Sequence, residues 1–143
     1  MYETILDLHS YWAFATLGLL FIATLNAFVG LSSKRAFVKK DRQISLIALT
    51  FSHVQFLLGL ILVILRWNQQ TGGVGEVMKN ADLRLILVEH PLVNLIAIIL
   101  ITVGWSTHKK QVEDSAKFKK IAYFYAIAII LLLSRIPYGQ WFS

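Results

Sequence analysis

The ionisable side chains that stand out in this sequence are His9, His53, Glu89, His90 and Arg135, with a fourth histidine at His108. All but His108 fall in or beside long apolar runs, where a polar or ionisable group is costly, needs a partner and is by default a functional candidate. Cysteine is absent, which excludes disulfides, iron–sulfur clusters, thiolate metal sites, covalent C-x-x-C-H haem attachment and a cysteine nucleophile. No Ser-His-Asp pattern, phosphate-binding glycine loop or pair of catalytic carboxylates is present. What remains is imidazole chemistry: ligation of a bare ion or of a cofactor held without a covalent bond.

A non-covalent b-type haem needs two neutral imidazoles on facing helices, an apolar slot, and cationic or hydrogen-bonding groups for its propionates. His53 and His90 are the first choice of axial pair, with the propionates met by Arg135, His9, Arg84 and Arg66. The second pair is His9 with His90, which leaves His53 as a buried hydrogen-bonding or proton-relay group. A third arrangement sets His9, His53, His90 and Glu89 around a bare zinc, copper or iron ion. Against it stands the spread in depth between His9 and His53, roughly 20 Å by helix rise.

The elements that must position these residues follow from the hydrophobic pattern. The chain of 143 residues is 57% hydrophobic, with a mean hydropathy of +0.63. Apolar runs cover about 11–31, 44–65, 85–105 and 121–137, each close to the ~20 residues that a helix needs to cross the hydrocarbon core. A backbone in lipid must satisfy its own hydrogen bonds, so the runs are helices. The expected fold is all-α: one domain, 1–143, forming an integral membrane four-helix bundle of up-down-up-down topology. Lys34, Arg35, Lys39, Lys40 and Arg42 follow the first run, and Lys109, Lys110, Lys117, Lys119 and Lys120 follow the third. These basic connections mark the cytoplasmic side and put both termini on the periplasmic side. Tyr11, Trp12, Trp67, Tyr138 and Trp141 are placed for the outer interface, and Trp105, Tyr123 and Tyr125 for the inner one. The segment 68–82, with Thr71-Gly72-Gly73-Val74-Gly75, reads as the only long flexible stretch. Residues 1–10 lack the basic start and cleavage site of a signal peptide, so the first span is expected to stay in the mature protein.

Counting ~1.5 Å of rise per residue from the cytoplasmic boundary puts His53 roughly 14 Å deep, His90 roughly 24 Å and Arg135 roughly 22 Å. His90 and Arg135 thus share a level in the outer half, with His9 above them. Pro91 removes the helical donor to the Leu87 carbonyl, so the helix kinks or restarts there. Structural roles compete with functional ones. A lone intramembrane histidine serves as an interhelical hydrogen-bonder, Arg135 snorkels to the interface, Glu89 pairs with Arg84 or Arg135, and His108 reads as a surface residue of a basic loop. The basic residues lie in two short clusters and not along an aromatic-laced face, which excludes nucleic acid as a partner.

Four motifs carry a resemblance: Leu8-His9-Ser10-Tyr11-Trp12; Ser52-His53-Val54-Gln55 with Gly59; Val88-Glu89-His90-Pro91; and Ser134-Arg135-Ile136-Pro137. Together they resemble the small four-span bacterial membrane proteins labelled cytochrome b-like. That resemblance implies one non-covalent haem b per chain, axial ligands among His9, His53 and His90, and a redox role in the bacterial inner membrane. The expected activity is at most a redox one: single-electron transfer between a quinol pool and a partner at the periplasmic face. The rival is a cofactor-free accessory subunit, packed on a larger membrane complex or on a second copy as a homodimer. A carrier of a metal ion or haem is the third reading.

Overall fold

The computed structural model describes residues 1–141, and every regular element among them is helical. In chain order these are α1 (Tyr2–Ser32), α2 (Lys39–Asn68), α3 (Gly73–Lys79), α4 (Ala81–Arg84), a π turn (Leu85–Glu89), α5 (His90–His108), α6 (Asp114–Ser134) and a 3-10 turn (Tyr138–Gln140). The stretch from α4 to α5 runs on as one rod, Ala81–His108, and it, Tyr2–Ser32 and Lys39–Asn68 are the three helices long and apolar enough to cross a membrane. The fourth long helix, α6, opens with Lys117, Lys119 and Lys120 in its first turns. Its uninterrupted apolar stretch, 121–133, falls short of the ~20 residues of a full crossing. It stops at Ser134, ahead of the expected limit at Pro137, because a residue that precedes proline is driven out of the α region and Ile136 is that residue.

The four long helices pack in the cyclic order α1, α2, α5, α6, so that α1 and α5 face each other across the diagonal. The α2–α5 seam is the least extensive of the four. The buried core is built of small side chains, Ala23, Ala27, Ala48, Ala97, Ala122 and Ala128, with Leu20, Ile101, Phe118, Ile121 and Tyr125 between them. Small residues let helix backbones approach closely, which is how apolar helices associate when the medium around them is equally apolar. The outward faces are apolar too: Phe21, Ile22 and Leu25 on α1, Leu57 and Ile61 on α2, Ile96 and Ile99 on α5, and Ile127 and Ile130 on α6 are all exposed. A helix that is apolar all round belongs in a protein core or in lipid.

The α1–α2 connection is fixed by local chemistry. Arg35 N–H reaches the Gly30 carbonyl at 3.3 Å and Lys34 N–H the Leu31 carbonyl at 3.4 Å, with Lys34 at φ 54°. This double bond over a left-handed residue is a Schellman ending. Asp41 then reaches back to the Val38 N–H at 2.9 Å and takes bonds of 2.8 Å from both Arg35 and the Asn26 amide. Asp41 lies in the first turn of α2, before the apolar run begins. Burial works to raise its pKa, but the bonds from Arg35, Val38 and Asn26 outweigh burial and hold the carboxyl below its ordinary range.

Three sequence expectations need correction. The segment 68–82 contains a helix, α3, whose Val77 is fully buried; Asn80 then caps α4 by accepting from the N–H groups of Asp82 and Leu83. His108 is not a surface residue but is 1% exposed, packed between Phe37 and Trp105. Tyr125 is not an interface anchor but a core residue whose hydroxyl donates to the Ser45 carbonyl at 2.9 Å. The half-buried Trp12 donates its indole N–H to the Phe51 carbonyl at 3.0 Å. The break expected at Pro91 takes the form of the π turn, where the His90 N–H reaches back to Leu85.

Candidate functional site

His9 lies two turns into α1 and His90 opens α5, so the two imidazoles meet across the diagonal, with ring centroids 6.3 Å apart and planes at 89°. Both line a cleft of about 100 Å³ whose walls are mostly apolar, among them Phe56, Leu60, Val63 and Ile98. Gly59 on α2 makes the seat for His9: a Cβ at that position would stand 3.0 Å from His9 Cε1. The Gln55 amide donates to the His9 carbonyl at 2.9 Å and so holds that turn of α1 against α2.

The hydrogen bonds fix the tautomer of His90. Its Nδ1 lies 2.9 Å from the Arg135 carbonyl, which only accepts, so Nδ1 carries the proton and Nε2 keeps its lone pair. Anchoring one ring nitrogen on a carbonyl while the other stays available is how a ligating histidine is held. The Asn94 amide now meets that lone pair at 3.1 Å. Three buried polar atoms of the cleft have no hydrogen-bond partner: His9 Nδ1, Gln55 Oε1 and Asn94 Oδ1. Leaving such an atom unmet costs about 1–3 kcal/mol, and their convergence on one cleft marks a place built to receive something polar.

His53 is not brought into this cleft. Its Nε2 lies 3.1 Å from Thr102 Oγ1, and that hydroxyl spends its own proton on the Ile98 carbonyl. The His53 nitrogen is therefore the donor, and its lone pair sits on Nδ1. Thr102 stands 12 residues beyond His90 on α5, roughly 18 Å of helical rise, so His53 and His90 occupy different layers and cannot bridge one iron. Nor does any group of three or more His, Asp or Glu side chains among the described residues gather to hold a bare ion.

At the rim, Glu89 takes Arg84 Nε at 2.8 Å and lies 3.5 Å from Arg135 Nε. Two guanidiniums on one carboxylate leave a net positive charge beside His90, and both arginines are more than a third exposed. Arg84 also donates to the Met78 carbonyl at 2.9 Å, tying α3 to the start of this rod. Gln55 and Asn94 are the site residues to which the sequence assigned no role. Their signal was two uncharged amides inside apolar runs, each of which needs a partner in lipid.

Two neutral imidazoles are the kind of donor pair that a haem iron would take. Two nitrogen–metal bonds of about 2 Å each, with the half-width of each ring added, separate imidazole centres by roughly 6 Å, close to the spacing observed. The enclosed space is smaller than the ~300–1,000 Å³ of ordinary cofactor sites, so holding a macrocycle requires α2 and α5 to stand further apart, at the seam that is least extensively packed. Comparison of the chain with protein family models, curated proteins and solved structures gives no match.

Proposed function

We propose that this chain is a membrane protein of the b-type cytochrome kind, with His9 and His90 as axial ligands and single-electron transfer as its activity. The observation that carries the reading is the placement of the two imidazoles 6.3 Å apart on opposite helices, with the His90 proton directed away from the cleft. Haem, when bound, supplies a one-electron couple whose potential follows its ligands and burial. The chain's own residues hold the two rings, through Gly59 on one side and the Arg135 carbonyl on the other. Arg84 and Arg135, sharing Glu89, offer the surplus positive charge that a propionate takes. Held by both histidines, a haem would supply one-electron transfer in preference to oxygen chemistry. Quinol is the class of donor that reaches such a site from lipid, with an acceptor at the periplasmic face.

In this reading all four long helices cross the bacterial inner membrane. The α6 lysines reach the cytoplasmic headgroups, and both termini are periplasmic by the placement of the basic connections. The rival reading, a cofactor-free accessory subunit, draws on His53, whose bond to Thr102 ties α2 to α5.

The absorption spectrum of the protein purified in detergent from haem-replete cells separates the two. A Soret band with sharp reduced α and β bands is expected, lost in His9→Ala and His90→Ala and kept in His53→Ala. A colourless protein overturns the proposal, as does loss of the bands only in His53→Ala.

A further inference from the structure

At the end of the molecule remote from the histidine cleft is a second pocket, of about 390 Å³, where the start of α2, the end of α5 and the start of α6 converge. Lys39, Arg42, Lys109 and Lys117 surround it, with Phe37 and His108 among its lining. Aromatic faces hold the cations in place: Arg42 and Lys109 lie 5.5 and 5.6 Å from the centre of Trp105, and Lys117 lies 5.8 Å from the centre of Phe37. His108 packs on both rings, with centres 4.6 Å from Trp105 and 5.4 Å from Phe37.

Among the described residues no acidic side chain pairs with these cations: Glu113 and Asp114 stand exposed at the start of α6 and take part in none of the ion pairs. The ion pairs among the described residues are Arg35–Asp41, Arg84–Glu89 and Arg135–Glu89, and none uses these four side chains. Asp41, the nearest carboxylate along the chain, is taken by Arg35, Asn26 and the Val38 N–H. Four like charges brought to one pocket by three separate helices repel each other, and an anion between them would relieve that repulsion. One planar guanidinium and three ammonium groups suit an anion with several oxygens on one centre, which an Arg binds in bidentate fashion and a Lys as a point charge.

We propose that this pocket binds a phosphoryl group, carried either by an anionic phospholipid headgroup or by free phosphate. It lies where the apolar run of α5 gives way to lysines and where the exposed apolar faces of α5 and α6, with Val103 and Tyr123, begin. That is the level of a headgroup. The assignment stands whatever fills the histidine cleft.

The test uses the full chain in neutral detergent, loaded with phosphatidylglycerol or with phosphatidylcholine and read by native mass spectrometry. Retained phosphatidylglycerol and released phosphatidylcholine are expected. Arg42→Gln/Lys117→Gln should weaken phosphatidylglycerol binding about tenfold or more, while Lys40→Gln, at the same basic end but outside the pocket, leaves it unchanged. Should the double variant fail to fold, Lys117→Gln alone carries the comparison. Inorganic phosphate at millimolar concentration distinguishes the sources: displacement of the lipid assigns the pocket to free phosphate, and retention assigns it to the headgroup. Equal retention of both lipids, or equal loss in the Lys40 and pocket variants, overturns the proposal, since diffuse surface charge then explains the binding.

Discussion

Replacing Gly59 by alanine puts a methyl group where the His9 ring now rests. The added Cβ would lie 3.0 Å from His9 Cε1 and 3.7 Å from Nδ1, closer than carbon atoms comfortably approach. Gln55 fixes the His9 main chain from the same helix as Gly59, so the adjustment falls on the ring. It must yield by a few tenths of an ångström toward His90. Overpacking of this kind costs ~1–3 kcal/mol, while exchanging glycine for alanine within a helix returns up to ~1 kcal/mol. Gly18→Ala is the matched control, since a Cβ there meets nothing within 4 Å. The helix contribution is common to both variants and cancels, so Gly59→Ala should be less stable than Gly18→Ala by ~1–3 kcal/mol. Unfolding in mixed micelles, followed by tryptophan fluorescence, measures that difference directly. In the proposed cytochrome the same variant also retains less haem, read from the reduced α band. Equal stability and equal haem retention in the two variants would refute the claim that Gly59 exists to seat His9.

Tyr125→Phe removes the buried hydroxyl bond to Ser45 and should cost ~0.5–1.5 kcal/mol in the same unfolding assay without altering the spectrum; unchanged stability would show that this bond contributes nothing. The Asp41 carboxyl, held below its ordinary range by Arg35, Val38 and Asn26 against the opposing effect of burial, contributes stability that is complete above its unfolded pKa near 3.8. That stability is lost as pH falls through the lower folded value. Asp41→Asn should flatten the acid limb of the stability profile below about pH 4, and an acid limb identical to the parent's would remove Asp41 from the account.

The apolar runs located the long helices because length and uniform hydropathy leave a backbone few other choices. They did not locate the helix ends, since the rods run on into polar residues, as α1 does up to its Schellman ending, while α6 stops at Ser134, short of Pro137. Depth counting along the helices brought Arg135 level with His90, and the bond between the two follows from that. The same counting left His53 and His9 as alternative partners of His90, because rise gives height and not azimuth. Only packing decides which face of α2 meets α5, and it turns His53 to Thr102 and Gly59 to His9. The burial of His108 was hidden by its basic neighbours; the signal was Phe37, an aromatic residue stranded in a charged connection. Asn80 in Asn80-Ala81-Asp82-Leu83 was a readable helix cap inside a segment that its glycines made look structureless.

The uneven seams of the molecule bear on the order in which it is made. The α1–α2 hairpin is closed by contacts that lie within a few dozen residues of each other, including the clasp of Asn26, Arg35 and Asp41, and α5 and α6 pack against each other along their length. Each half can therefore settle soon after leaving the ribosome. His9 belongs to the first half and His90 to the second, so neither hairpin alone contains a complete pair, and the two rings come to face each other only when the halves dock. A ligand gripped by both would act as a staple across that late junction, making occupancy and assembly a single event.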